Sequence, residues 1–170
     1  MNRTALNRIL ILGIGNYLMG DEGVGVHAAR RLEAENRPPG IEVLDGGTGG
    51  FHLLGYLESY ETIILVDATL DHLSPGTIRL IRPRFAQDFP NAMSTHDIGL
   101  KDMMSALQLL GKMPDIHLFV VSIKSIQQQG ITLSPEIEEV MPDLVEMINN
   151  LVSQLSSEEN KTILLDSNLA

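Results

Sequence analysis

No cysteine occurs in the 170 residues. That excludes a disulfide framework, a thiol nucleophile and any thiolate metal site, so a metal held here must use His, Asp or Glu. Positive charge is scarce as well: the formal net charge is −10, which argues against non-specific binding to nucleic acid. No apolar run approaches the length of a membrane span, and the opening Met1-Asn2-Arg3-Thr4-Ala5 has no apolar signal core. A soluble, cytoplasmic protein is expected. Internal repeats, low-complexity blocks and a Gly-x-Ser-x-Gly nucleophile elbow are missing too. The length suits one domain with a sizeable core. We expect a single α/β domain over residues 1–155 and a largely disordered tail over 156–170.

What the chain does have is glycine at strand ends. The apolar run 9–12 reads as a buried strand, and residues 26–35 have helical spacing. Between them lie five glycines, Gly13, Gly15, Gly20, Gly23 and Gly25, with Asp21 and Glu22 among them. The stretch is not a dinucleotide fingerprint, because Leu18 stands where the third glycine should be. Charge agrees. A helix N-terminus favours an anion by roughly 0.3–1 kcal/mol, whereas a carboxylate about 4 Å from a phosphate repels it by roughly 4 kcal/mol at an effective dielectric of 20. Repulsion wins, so this mouth suits a cation or a proton. Asp21 also suits an N-cap of the following helix, and Glu22 suits its first turn.

Further on, residues 41–44 form a short strand that closes on a second glycine loop, Asp45-Gly46-Gly47-Thr48-Gly49-Gly50, and residues 51–59 read as a short helix. The run 62–66 is β-branched and apolar without alternation, as in a central strand covered on both faces, and it delivers Asp67 to its C-terminal end. Alternating βα units imply a parallel sheet with ligands bound beyond the C-terminal strand ends. The two glycine loops and Asp67 should therefore meet at one edge. Residues 77–82 alternate, which suggests an edge strand, and the link from Asp67 is too short for a helical crossover, so it should run antiparallel. A long irregular stretch, 83–97, ends in His96-Asp97, with Asp97 placed to cap a helix over 98–110. A last strand over 116–123, a polar connector and a helix opening at Ser134-Pro135 complete the pattern.

Of the five histidines, His27, His52 and His117 fall within predicted elements and His72 in a turn, so structural or solvated roles suit them. His96 differs, because it ends the long loop just before a helix that must pack on the sheet. Glu22, Asp67 and His96 would together make a two-carboxylate, one-imidazole set with open positions, suited to a divalent metal and an incoming ligand. Asp45 is the better candidate to satisfy its own loop amides.

At these residues the sequence resembles the nickel-iron hydrogenase maturation endopeptidases. The matching segments are Gly13-Ile14-Gly15-Asn16, Asp21-Glu22-Gly23-Val24-Gly25, Asp45-Gly46-Gly47-Thr48, Val66-Asp67-Ala68 and His96 before Gly99-Leu100. Pro75-Gly76-Thr77 and Leu133-Ser134-Pro135 are similar as well, so the likeness spans residues 9–150. It implies a three-layer α/β/α, phosphorylase/hydrolase-like fold with a five-stranded, mostly parallel mixed sheet in the order 2-1-3-5-4. It implies one cut that removes the C-terminal extension of a hydrogenase large-subunit precursor after nickel insertion, by a protein expected to act as a monomer. Glu22, Asp67 and His96 would be the catalytic, metal-contacting residues. The nickel would be carried by the substrate, with no permanently bound metal. Asp45, Gly46, Gly47 and Thr48 would shape the cleft and hold the substrate tail. The sequence departs from the family at Ser122-Ile123-Lys124-Ser125, where a proline-containing turn is expected, and this bears on which large subunit is accepted. Two other readings share these residues. One is a non-catalytic nickel-binding chaperone module with the same ligands. The other is an S-adenosylmethionine-dependent methyltransferase, whose Asp-x-Gly-x-Gly loop resembles Asp45 to Gly49.

Overall fold

The computed structural model describes residues 8–89, 100–126 and 129–167. Strands β1 (Ile9–Gly13), β2 (Ile41–Asp45), β3 (Thr62–Thr69), β4 (Ile78–Ile81) and β5 (Asp115–Ser122) form one sheet in the order β2-β1-β3-β5-β4. All neighbours are parallel except β4, which runs antiparallel to β5. Only residues 70–77 join β3 to β4; that is too few for a crossover helix, and the chain turns back instead.

Alternation along the strands builds two cores. In β3, Ile64, Val66 and Ala68 face helices α1 (Val24–Glu33) and α4 (Pro135–Ser167). Ile63 and Leu65 face the other side, where the short α2 (Leu54–Leu57) and α3 (Leu100–Leu109) lie. This gives the three α/β/α layers, with β3 buried along its whole length as expected of a strand covered on both faces.

Four local expectations change. β3 does not stop at Val66: β1 ends opposite that residue, but β5 continues, pairing Asp67 with Val120, Ala68 with Val121 and Thr69 with Ser122. Asp is depleted in strands, and one-sided ladder pairing overrides that bias here. The short helix expected over 51–59 is present but ends at Leu57, and its first turn, Phe51–Leu53, is 3-10 before α2 begins. Asp21 does not cap α1. The N-cap position belongs to Gly23, and Asp21 lies in the preceding 3-10 turn, Gly20–Gly23. Finally, α4 passes Ser156, where a disordered tail was expected, and runs to Ser167. No glycine or proline follows Pro142 to stop it. The expected cap, Asp97, lies outside the described residues.

The approach of α1 to the sheet depends on bare backbone. A Cβ on Gly25 would stand 2.2 Å from the Val66 carbonyl oxygen and 2.3 Å from that of Ile14, and one on Gly13 would stand 2.0 Å from the Gly25 carbonyl oxygen. In a helix, Gly25→Ala would ordinarily gain roughly 1 kcal/mol of propensity. Overpacking costs roughly 1–3 kcal/mol, and here the opposing atoms are backbone that cannot rotate away. We expect the clash to win: Gly25→Ala should lower the urea midpoint, whereas the open Gly55→Ala, with nothing within 4 Å of its added Cβ, should not.

Candidate active site

Three segments meet at the C-terminal ends of β1, β2 and β3. The Gly15 N–H donates to the Gly47 carbonyl (2.8 Å), that of Gly46 to Gly13 (2.8 Å) and that of Ile14 to Val66 (2.8 Å). These bonds lock both glycine loops to each other and to the central strand. Gly15 has φ +146, and a Cβ there would lie 1.9 Å from the Glu22 carbonyl oxygen. Its bareness therefore lets the Gly20–Gly23 turn fold back over the strand ends.

That turn carries two acids inward, Asp21 at 2% exposure and Glu22 at 4%. The Asp21 carboxylate accepts the Ser134 N–H at 2.7 Å, one residue before α4 begins. It thus holds an otherwise unsatisfied amide at the entry to a different helix from the one expected. Beside it, the Gly20 N–H donates to the Gly130 carbonyl (2.7 Å) and the Gly130 N–H to that of Leu18 (2.8 Å). The connector after β5 is thereby pinned to the loop after β1.

Asp67 lies on β3 just past the end of β1, at 1% exposure. Its Oδ1 accepts the Ala68 N–H at 2.7 Å, while Oδ2 is buried and finds no hydrogen-bond partner among the described residues. Burial pushes this carboxyl well above the usual carboxylate range, the Ala68 N–H pulls it back, and the negative charge of Glu22 pushes it up further. Two buried acids that feel each other, one with an unpartnered oxygen, make a place that attracts a cation or holds a proton.

The family model described as hydrogenase maturation protease matches residues 26–151. The chain belongs to the hydrogenase maturation protease family. It is 34% identical over 153 residues to the hydrogenase expression/formation protein HupD of Bradyrhizobium diazoefficiens, covering 87% of this chain and 79% of that one. It is 35% identical to the hydrogenase 2 maturation protease of Escherichia coli, covering 83% and 88%. The solved structure of the hydrogenase maturating endopeptidase HybD from E. coli superposes with a TM-score of 0.79 at 34% identity, over 86% of this chain and 93% of that one. This chain is therefore a peptidase with that family's α/β fold.

Of the three expected metal-contacting residues in this maturation protease, the fold brings Glu22 and Asp67 together, and His96 lies outside the described residues. Among the described residues no three His, Asp or Glu side chains converge as a ligand set. Asp45 is already engaged: its Oδ1 accepts the Gly47 N–H at 2.9 Å and its Oδ2 the Arg30 Nε–H at 3.1 Å. The Arg30 guanidinium sits 3.9 Å from the centre of the Tyr17 ring, and that ring lies 4.9 Å from His27. Burial, followed by Arg31 and Arg30, lowers the His27 pKa. Asp45 thus ties its loop to α1, and the methyltransferase reading falls with the family assignment. Gly46 is crowded, since a Cβ there would lie 2.8 Å from Leu12 Cδ1, whereas Gly47, at φ +52, borders open space. Sequence reading passes over Thr69 by ending the strand too early. Thr69 is 1% exposed, and its hydroxyl is buried with no partner among the described residues. Two-residue alternation from Leu65 through Asp67 is the signal that finds it.

Because the folded-state pKa of Asp67 is raised, its neutral form favours the fold. Its stabilising effect is complete below the ordinary value of 3.8 and is lost as pH climbs from there toward the raised folded value. Asp67→Asn should flatten this part of the stability-versus-pH profile and melt higher than the unaltered protein at pH 7. Parallel profiles for the two proteins would contradict a buried, charge-frustrated Asp67.

Proposed function

We propose that this protease makes a single cut, releasing the C-terminal extension of a nickel-iron hydrogenase large-subunit precursor once nickel has been inserted. The observation that carries this reading is the buried Glu22–Asp67 pair with its free Oδ2. A divalent ion brought by the substrate supplies the positive charge that lets both acids ionise without leaving the interior. In this reading Glu22, Asp67 and His96 contact the substrate's nickel, and the protein keeps no metal of its own. Fixing the ion fixes the peptide bond beside it, and such positioning can supply several kcal/mol of the barrier, roughly 7 at the low end of the intramolecular range. The Asp45-Gly46-Gly47-Thr48 loop, held by Arg30, shapes the cleft along which the substrate tail lies. The protein acts in the cytoplasm as a monomer, with the precursor as its macromolecular partner.

Mass spectrometry of precursor incubated with the protease tests this directly. Nickel-loaded precursor should lose its C-terminal segment and metal-free precursor should keep it. Glu22→Gln should leave the melting profile of a folded protein and abolish the cut. A precursor that binds yet keeps its full mass would mark the chain as a nickel-binding module without turnover.

A further inference from the structure

Among the described residues, Thr69 is a buried polar side chain two positions from Asp67 that the proposed function leaves without a task. It shares a face of β3 with Asp67, because alternate residues of that strand point the same way and Leu65, two positions earlier, belongs to the α3-side core. Its hydroxyl has no partner among the described residues, and neither has Asp67 Oδ2. The neighbouring Ser122 hydroxyl, paired across the strands with Thr69, is already spent on Asp71 Oδ2 at 3.1 Å. An unsatisfied buried hydroxyl costs roughly 1–3 kcal/mol, and a valine would fill the same space without that cost. A hydroxyl kept here despite that cost is suited to a ligand or water that uses its oxygen.

We propose that Thr69 Oγ1 and Asp67 Oδ2 together hold the water that attacks the scissile carbonyl, which makes Thr69 a catalytic residue of the cut. This rests on the processing activity proposed above. The two residues stand roughly 6.6 Å apart at Cα by strand rise, a span that one water bridges with two hydrogen bonds of about 2.8 Å. Once the substrate's charge ionises Asp67, Oδ2 has one lone pair for that ion and one for this water; both protein oxygens then accept, so the water donates both its protons to the protein and presents its lone pairs outward to the carbonyl carbon. The new bond is C–O and the broken bond is the peptide C–N. The water oxygen stays in the new C-terminal carboxylate, and its two protons finish on the released nitrogen, which leaves as an ammonium. No oxidant or further reactant is needed.

The proposal separates activity from stability. Thr69→Val keeps the shape and deletes the hydroxyl. With nickel-loaded precursor it should lower kcat about tenfold, the rate equivalent of one hydrogen bond, with KM unchanged and a melting temperature equal to or above that of the unaltered protein. Thr69→Ser restores the oxygen and should recover most of the rate, while Thr69→Ala makes the same deletion with a smaller side chain. Unaltered kcat in both Thr69→Val and Thr69→Ala overturns the proposal, as does a serine variant as slow as the valine one. If Glu22→Gln is inactive while Thr69→Val is fully active, only this inference falls. If the unaltered protein leaves nickel-loaded precursor whole, the processing function falls with it.

Discussion

Backbone against backbone, without an intervening side chain, is the contact on which the rest of this molecule depends. Gly13, Gly15 and Gly25 let the start of α1 and the turn before it settle onto β1 and β3 at distances no Cβ would permit. An ordinary helix packs on a sheet through a layer of side chains. Here that layer is missing at one end, and the Gly20–Gly23 turn descends far enough to bury Glu22 where its charge reaches Asp67. An alanine at Gly15 would meet the Glu22 carbonyl before any question of catalysis arose.

Bringing two carboxyl groups out of water beside each other opposes folding, and the protein offsets only part of that cost. Within the pair, the Ala68 amide serves Asp67; the third buried acid of this edge, Asp21, takes the distant Ser134 amide. The remaining oxygen of Asp67 is left facing inward. The one carboxyl pushed well above its usual range, Asp67, and two unpartnered buried oxygens, Asp67 Oδ2 and Thr69 Oγ1, stand two positions apart on β3, an arrangement that fits the proposal of a metal arriving with the substrate.

The same turn also organises what lies around it. Asp21 reaches the start of α4, and Gly130 is bonded on both sides to the loop after β1. Arg30 on α1 grips Asp45 and covers Tyr17. Consequently the loops following β1, β2 and β5, each from a different part of the chain, are tied into one rim beside the acid pair.

Strand and helix identity were legible because burial imposes periodicity: the unbroken apolar run before Asp67, the alternation in β4 and Pro135 at a helix start all express local rules. Glycine at strand ends likewise marked the sheet edge where the loops meet. The proposed third ligand, His96, stood out by its place at the end of the long loop and by the family resemblance, and it lies outside the described residues. The end of β3 was hidden, since whether Asp67 to Thr69 remain extended depends on β5 continuing beside them, and a partner strand fifty residues away leaves no local trace. Asp21 was misread for a similar reason. Its composition fits a cap on the next helix, yet its carboxylate is claimed by an amide 113 positions away. Sequence by itself determined the elements, the family and the acids at the edge, because those follow from spacing and residue type. Only the tertiary structure decided which acid is satisfied, which is left frustrated and which hydroxyl stands beside it, because desolvation and pairing are properties of the assembled surroundings and not of the chain.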